Sequence, residues 1–166
     1  MDHTHQHQHH TGPAHTGHRH DTESLNQTAL VATLHCLLGC AIGEVAGLLI
    51  GTALGWSNVA TIALAVALAF TSGFALTALP FLRRGYAFKA ALRIAFAADA
   101  ASITIMEIVD NALMLAIPGA MEASIGSLFF WASMAVSLAV AGVAAYPVNR
   151  WLIARGKGHA VAHATH

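Results

Sequence analysis

Glu44, Asp99, Glu107 and Asp110 are carboxylates set inside otherwise apolar runs. A charged side chain at a bilayer centre costs roughly 2.5–3.5 kcal/mol on insertion scales, so it usually faces a protein interior and has a task there. Around Glu44 the sequence reads H-C-x-x-G-C-x-x-G-E, with His35, Cys36, Gly39, Cys40 and Gly43 before the acid. Cys36, Cys40 and Glu44 stand at i, i+4 and i+8, which on a helix is one row with about 6 Å of rise per step. Thiolates suit Cu(I), Zn(II) and related ions, and carboxylates add hard ligands or proton carriers. The competing reading of the cysteines is packing, because cysteine is also a small hydrophobe. His35 follows the glycine row, where an interfacial or capping role fits better than ligation.

A second constellation holds Asp99, Ser102, Met106, Glu107, Asp110, Asn111 and Met114. At 100° per residue, Met106, Glu107, Asp110, Asn111 and Met114 share an arc of roughly 140°. One Asn or Ser would be read as glue between helices. Two carboxylates three residues apart point to a functional interior. The candidate metal set is therefore Cys36, Cys40, Glu44, Glu107 and Asp110. His35, Asp99, Met106, Asn111 and Met114 are auxiliary polar groups or ligands. Cu, Zn, Ni and Co are the candidate ions. No catalytic signature accompanies these residues, so no enzyme is expected.

Four long apolar runs must position them, at about 30–54, 59–82, 90–117 and 127–153. Each exceeds the roughly 20 residues that a transmembrane helix needs. The runs are continuously apolar and do not alternate, which disfavours strands. The expected fold is all-α, with four transmembrane helices in a domain over 29–154. Composition agrees: 56% of the 166 residues are hydrophobic and 10% charged, against ~25% charged in soluble domains. Gly39, Gly43, Gly47 and Gly51 recur every four residues and make a groove for close helix packing. Matched positions before Gly55 and Pro118, and P-x-x-R at Pro80/Arg83 and Pro147/Arg150, suggest two repeated helical hairpins.

All eight Lys and Arg fall on one side of this topology, which places both termini and the middle connection in the cytoplasm. Residues 1–28 are polar and rich in histidine, and are expected to form a disordered tail that buffers metal. A short histidine-containing tail follows over 155–166. The start has no apolar signal-peptide core, so the first helix is expected to direct insertion. Zero net charge with neutral histidines argues against nucleic acid as a partner. Two cysteines in an apolar run make no secreted disulfide framework.

The first-helix motif, together with M-E-I-V-D-N and I-P-G in the third helix and P-V-N-R near the end of the fourth, resembles a bacterial family of small four-helix integral membrane proteins catalogued as a domain of unknown function. The likeness covers about 34–159. It implies a four-helix, multi-pass domain in the bacterial cytoplasmic membrane and carries no activity with it. The residues themselves lead to transport or handling of a transition-metal cation. Arg83 and Arg150 would anchor the cytoplasmic ends through headgroups or acidic partners. Four helices are few for a transport path, so a homo-oligomer or a membrane partner is expected. The alternatives are a membrane thiol redox protein, which needs local unwinding near Gly39, and a non-catalytic subunit whose polar groups only hold helices together.

Overall fold

The computed structural model describes residues 17–155, with side chains from residue 22 onward. Within them the chain is all-helical: α1 (Gly17–Ala53), α2 (Asn58–Arg83), α3 (Phe88–Ala116) and α4 (Leu128–Ala154). The tails over 1–16 and 156–166 lie outside the described residues, and so do the expectations attached to them. Residues 17–28 were expected to belong to the disordered tail; they form the first turns of α1 instead. Helix ends follow local chemistry. Ser57 and Ser127 cap α2 and α4, their hydroxyls accepting from the Ala60 and Phe130 amides at 3.4 and 3.2 Å. Gly55 follows α1 at φ +66°, a conformation other residues adopt only at a cost.

The helices run up, down, up and down. Each packs on its neighbours in sequence, α4 closes against α1, and α1 and α3 also touch across the bundle. The α1–α2 packing is the closest. Gly39 meets Gly73, Gly43 meets Ala69, Gly47 meets Ala65 and Gly51 meets Thr61, so four residues up α1 match four residues down α2. A Cβ placed at Gly39 would stand 2.7 Å from the Gly73 Cα. Ser72 reinforces the seam, donating to the Gly39 carbonyl at 2.5 Å. Such carbon-light interfaces bring backbones together where apolar burial offers no gain over lipid.

α1, α2 and α4 are long and apolar enough to cross a membrane. α3 is long enough at 29 residues, but its acidic and basic residues lower its apolarity. Its faces are inverted relative to a helix on a water-soluble protein. Leu92, Phe96, Ile108 and Leu115 point outward, while Asp99, Ser102, Glu107 and Asp110 are buried. The same inversion holds on α1, where Leu34, Leu38, Ile42 and Leu49 are exposed and Glu44 is 5% exposed. An apolar exterior this extensive requires lipid around it.

α4 is tied to α1 by two long-range polar contacts. Asn149 Nδ2 donates to Thr33 Oγ1 at 2.9 Å in the interior, and Arg150 Nε donates to Asn26 Oδ1 at 2.7 Å near the end. Interhelical hydrogen bonds in membranes average about 0.6 kcal/mol and reach about 1.7. Asn149→Ala is expected to cost toward the upper end, because Asn149 is 3% exposed. Chemical unfolding of the detergent-solubilised variant beside Thr33→Ala and the double variant checks this, with a coupling near zero excluding the bond.

Candidate functional site: a polar seam and its cavity

The i, i+4, i+8 row of α1 faces the acidic arc of α3. Cys36, Cys40 and Glu44 are buried on one side, and Asp99, Ser102, Glu107 and Asp110 on the other. Three rungs result. The Cys36 thiol donates to Asp99 Oδ1 at 3.7 Å. Cys40 stands against Glu107. Glu44 stands against Asp110, with Glu107 close by. From Cys36 to Glu44 the seam climbs about 12 Å along the helix axis.

Neighbouring helices complete it. Ser137 of α4 donates to Asp110 Oδ1 at 2.5 Å and to the Met134 carbonyl at 3.0 Å. Asn111 Nδ2 donates to the Glu107 carbonyl at 2.9 Å and reaches Glu107 Oε2 at 3.5 Å. Thr77 of α2 and His35 of α1 both lie near Asp99. Seven buried side-chain atoms lack a hydrogen-bond partner among the described residues: His35 Nε2, Glu44 Oε1 and Oε2, Thr77 Oγ1, Asp99 Oδ2, Ser102 Oγ and Glu107 Oε1. They all belong to this seam. Buried polar groups are normally paired, because an unpaired one costs about 1–3 kcal/mol and a charged one more. Their concentration here marks a seam where acids, thiols and hydroxyls face one another at the edge of hydrogen-bond reach: Ser102 and Cys36, Thr77 and Asp99, Glu44 and Asp110.

At the Glu44 end the seam opens into a cavity of about 350 Å³. Glu44, Asp110 and Asn111 line its inner part. Met114, Met121, Met134, Phe130, Trp56 and Leu48 add apolar wall. The mouth lies at the α1–α2 and α3–α4 connections, away from the basic residues of the α2–α3 turn and the α4 end.

The candidate residues of the sequence thus fall into separate roles. The five candidate metal residues share the seam but are paired across it as rungs. Among the described residues no three His, Cys, Asp or Glu gather as a group that could hold a metal ion. Met106 packs in the apolar core with Ile103, Ala69 and Ala141, away from the cavity that Met114 lines. Both thiols are free, and α1 runs unbroken through Gly39, without the unwinding that thiol redox chemistry would need. Gly39, Gly43, Gly47 and Gly51 face α2. Ser137, Thr77, Met121 and Met134 escaped the sequence reading, and Trp56, expected as an interfacial belt residue, lines the cavity. One signal was available for Ser137: Ser133, Ser137, Ala141, Ala145 and Asn149 recur at steps of four, and all are buried.

An apolar exterior around a carboxylate-bearing interior defines a helical membrane protein with a polar core site. Residues 25–158 match the family model described as Domain of unknown function (DUF4396), and the chain belongs to that family. Neither the curated proteins nor the solved structures contain a match.

Proposed function

We propose that this membrane protein transports or handles a cation, and that Glu44 and Asp110, with Glu107 behind them, form the intramembrane site. The observation that carries this reading is Glu44, 5% exposed, set against Asp110 with Glu107 close by, where an open cavity reaches the pair. A carboxylate held so deep is costly unless a cation or proton meets it. On this reading α3 is the fourth span, its outward Phe96, Ile108 and Leu115 meeting lipid. The positive-inside rule puts the basic end in the cytoplasm, and the cavity then opens on the opposite side. The Arg155 guanidinium lies 4.1 Å from the Trp151 ring centre, an arrangement suited to the cytoplasmic interface.

The thiols beside these carboxylates favour a transition-metal cargo, whereas the absence of a three-ligand group among the described residues counts against tight coordination. The carboxylates are therefore the better-supported binding groups, and no catalysis is invoked. A homo-oligomer would supply the further helices that a transport path needs. The repeated-hairpin idea is not favoured by α3, which has no glycine to repeat the α1–α2 seam.

The test is cation uptake into proteoliposomes across Zn(II), Cu(I), Ni(II), Co(II) and proton gradients, for wild type, Glu44→Gln and Cys36→Ser/Cys40→Ser. Loss of about tenfold or more in Glu44→Gln is expected, the scale of losing one buried charge partner. A smaller loss is expected in the thiol variant. Equal uptake in wild type and Glu44→Gln would refute the site. A loss confined to the thiol variant would move the site to Cys36 and Cys40.

A further inference from the structure

We infer that the cavity takes an amphiphilic organic cation, a single ammonium-like or phosphonium-like charge on an apolar body. This rests on reading Glu44 and Asp110 as a cation site, and it names the class of cation.

Three observations lead there. The first is size. About 350 Å³ is some ten times the ~30 Å³ share of one water, and lies in the range of small-molecule pockets. A single desolvated metal ion would leave most of that space unused. The second is the division of the lining. Among the described residues the only ionisable lining residues are Glu44 and Asp110, and no Lys or Arg lines the cavity, so an anion meets no cationic partner. Along the remaining wall, beside the neutral polar groups of Thr52, Asn58, Thr61 and Asn111, Met114, Met121 and Met134 offer polarizable thioethers that adapt to ligand shape. Trp56 and Phe130 offer aromatic faces of the kind that attract organic cations. The third is the juxtaposition of two buried acids, Glu44 and Asp110, on the cavity wall with no Lys, Arg or His among the described lining residues to balance them. A ligand with charge at one end and hydrocarbon at the other satisfies both parts of the lining together. A metal ion satisfies only the carboxylates.

The experiment is equilibrium binding of radiolabelled tetraphenylphosphonium to the full-length protein in lipid nanodiscs, with empty nanodiscs as the partition blank. Wild type is compared with Glu44→Gln, Asp110→Asn and Met121→Trp, each verified as folded by its size-exclusion profile. Met121 belongs to the α3–α4 connection, so its replacement narrows the mouth while sparing the helix seam. Saturable binding is expected in wild type, weakened about tenfold or more by either carboxylate variant and blocked by Met121→Trp. Saturable binding unchanged in all three variants would overturn the inference. Absence of tetraphenylphosphonium binding, beside Zn(II) or Cu(I) binding that Glu44→Gln reduces, would overturn the organic-cation class and leave the cation site standing. Failure of every cation to show Glu44-dependent binding would overturn both.

Discussion

Gly43→Leu is expected to remove almost all folded protein from the membrane fraction. A Cβ at position 43 would overlap the backbone of Leu68 and Ala69, which cannot turn aside as a side chain can. Ordinary overpacking costs about 1–3 kcal/mol. Here relief requires α1 and α2 to separate, and that would also open the approaches at Gly39 and Gly47 and lengthen the Ser72 bond to the Gly39 carbonyl. The cost should therefore exceed ~3 kcal/mol, a large share of the 5–15 kcal/mol that typically holds a domain together. Gly142→Ala is the matched control. Its added Cβ would meet only Leu37 methyl carbons at 3.6 and 3.7 Å, an ordinary contact. Membrane-fraction yield and thermal unfolding of the two variants decide the matter. A Gly43→Leu protein as stable as wild type would mean that α1 and α2 do not pack through this seam.

That seam was readable from the sequence because glycines at steps of four admit few other uses in an apolar helix. The helix positions were readable for a similar reason, since long unalternating apolar runs leave little choice in lipid. The start of α1 was not. Its residues 17–28 carry too little apolar surface to form a core, which reads as disorder. Yet a helix already nucleated by the following membrane segment extends at little cost per residue, and the Arg150–Asn26 bond ties this extension to α4. The site was half legible. Helical periodicity gave the face of α1 bearing Cys36, Cys40 and Glu44 and the face of α3 bearing Glu107 and Asp110. Periodicity fixes which residues share a face, but not which faces meet; only the packed bundle pairs Cys36 with Asp99 and Glu44 with Asp110. The cavity was illegible because its wall gathers residues from four helices and two connections, and of these only Glu44, Asp110, Asn111 and Met114 stand out in the sequence. The metal reading failed to converge for the same reason: a ligand set is a property of three-dimensional distances, and the row spacing supplied only one of them.

Glu44→Met is expected to make the protein more stable and functionally inert together. Glu44 is buried with two acids, Asp110 and Glu107, as its polar neighbours. Among the described residues, the side chains acting on it are acids and none is a cation, so its charge gains no counter-charge and desolvation penalises it. Methionine has nearly the same reach, fills irregular space and would join Met114 and Met134 at the cavity. Replacing whole buried charged pairs by packed apolar groups has stabilised other proteins by about 1–4 kcal/mol; relieving one of two facing acids is expected to give a gain of about 1 kcal/mol, the lower end of that range. Asp110→Ala should behave oppositely, because it removes the acceptor of the Ser137 hydroxyl. The loss should stay near ~1 kcal/mol, since Ser137 keeps the Met134 carbonyl as a second acceptor. Thermal unfolding of both variants, read beside cation uptake, separates the two explanations of the seam. If Glu44→Met is stabilised and inactive, the carboxylate is retained against its folding cost for what it binds. If Glu44→Met is destabilised, the carboxylate holds helices together, and the non-catalytic subunit becomes the better account of the chain.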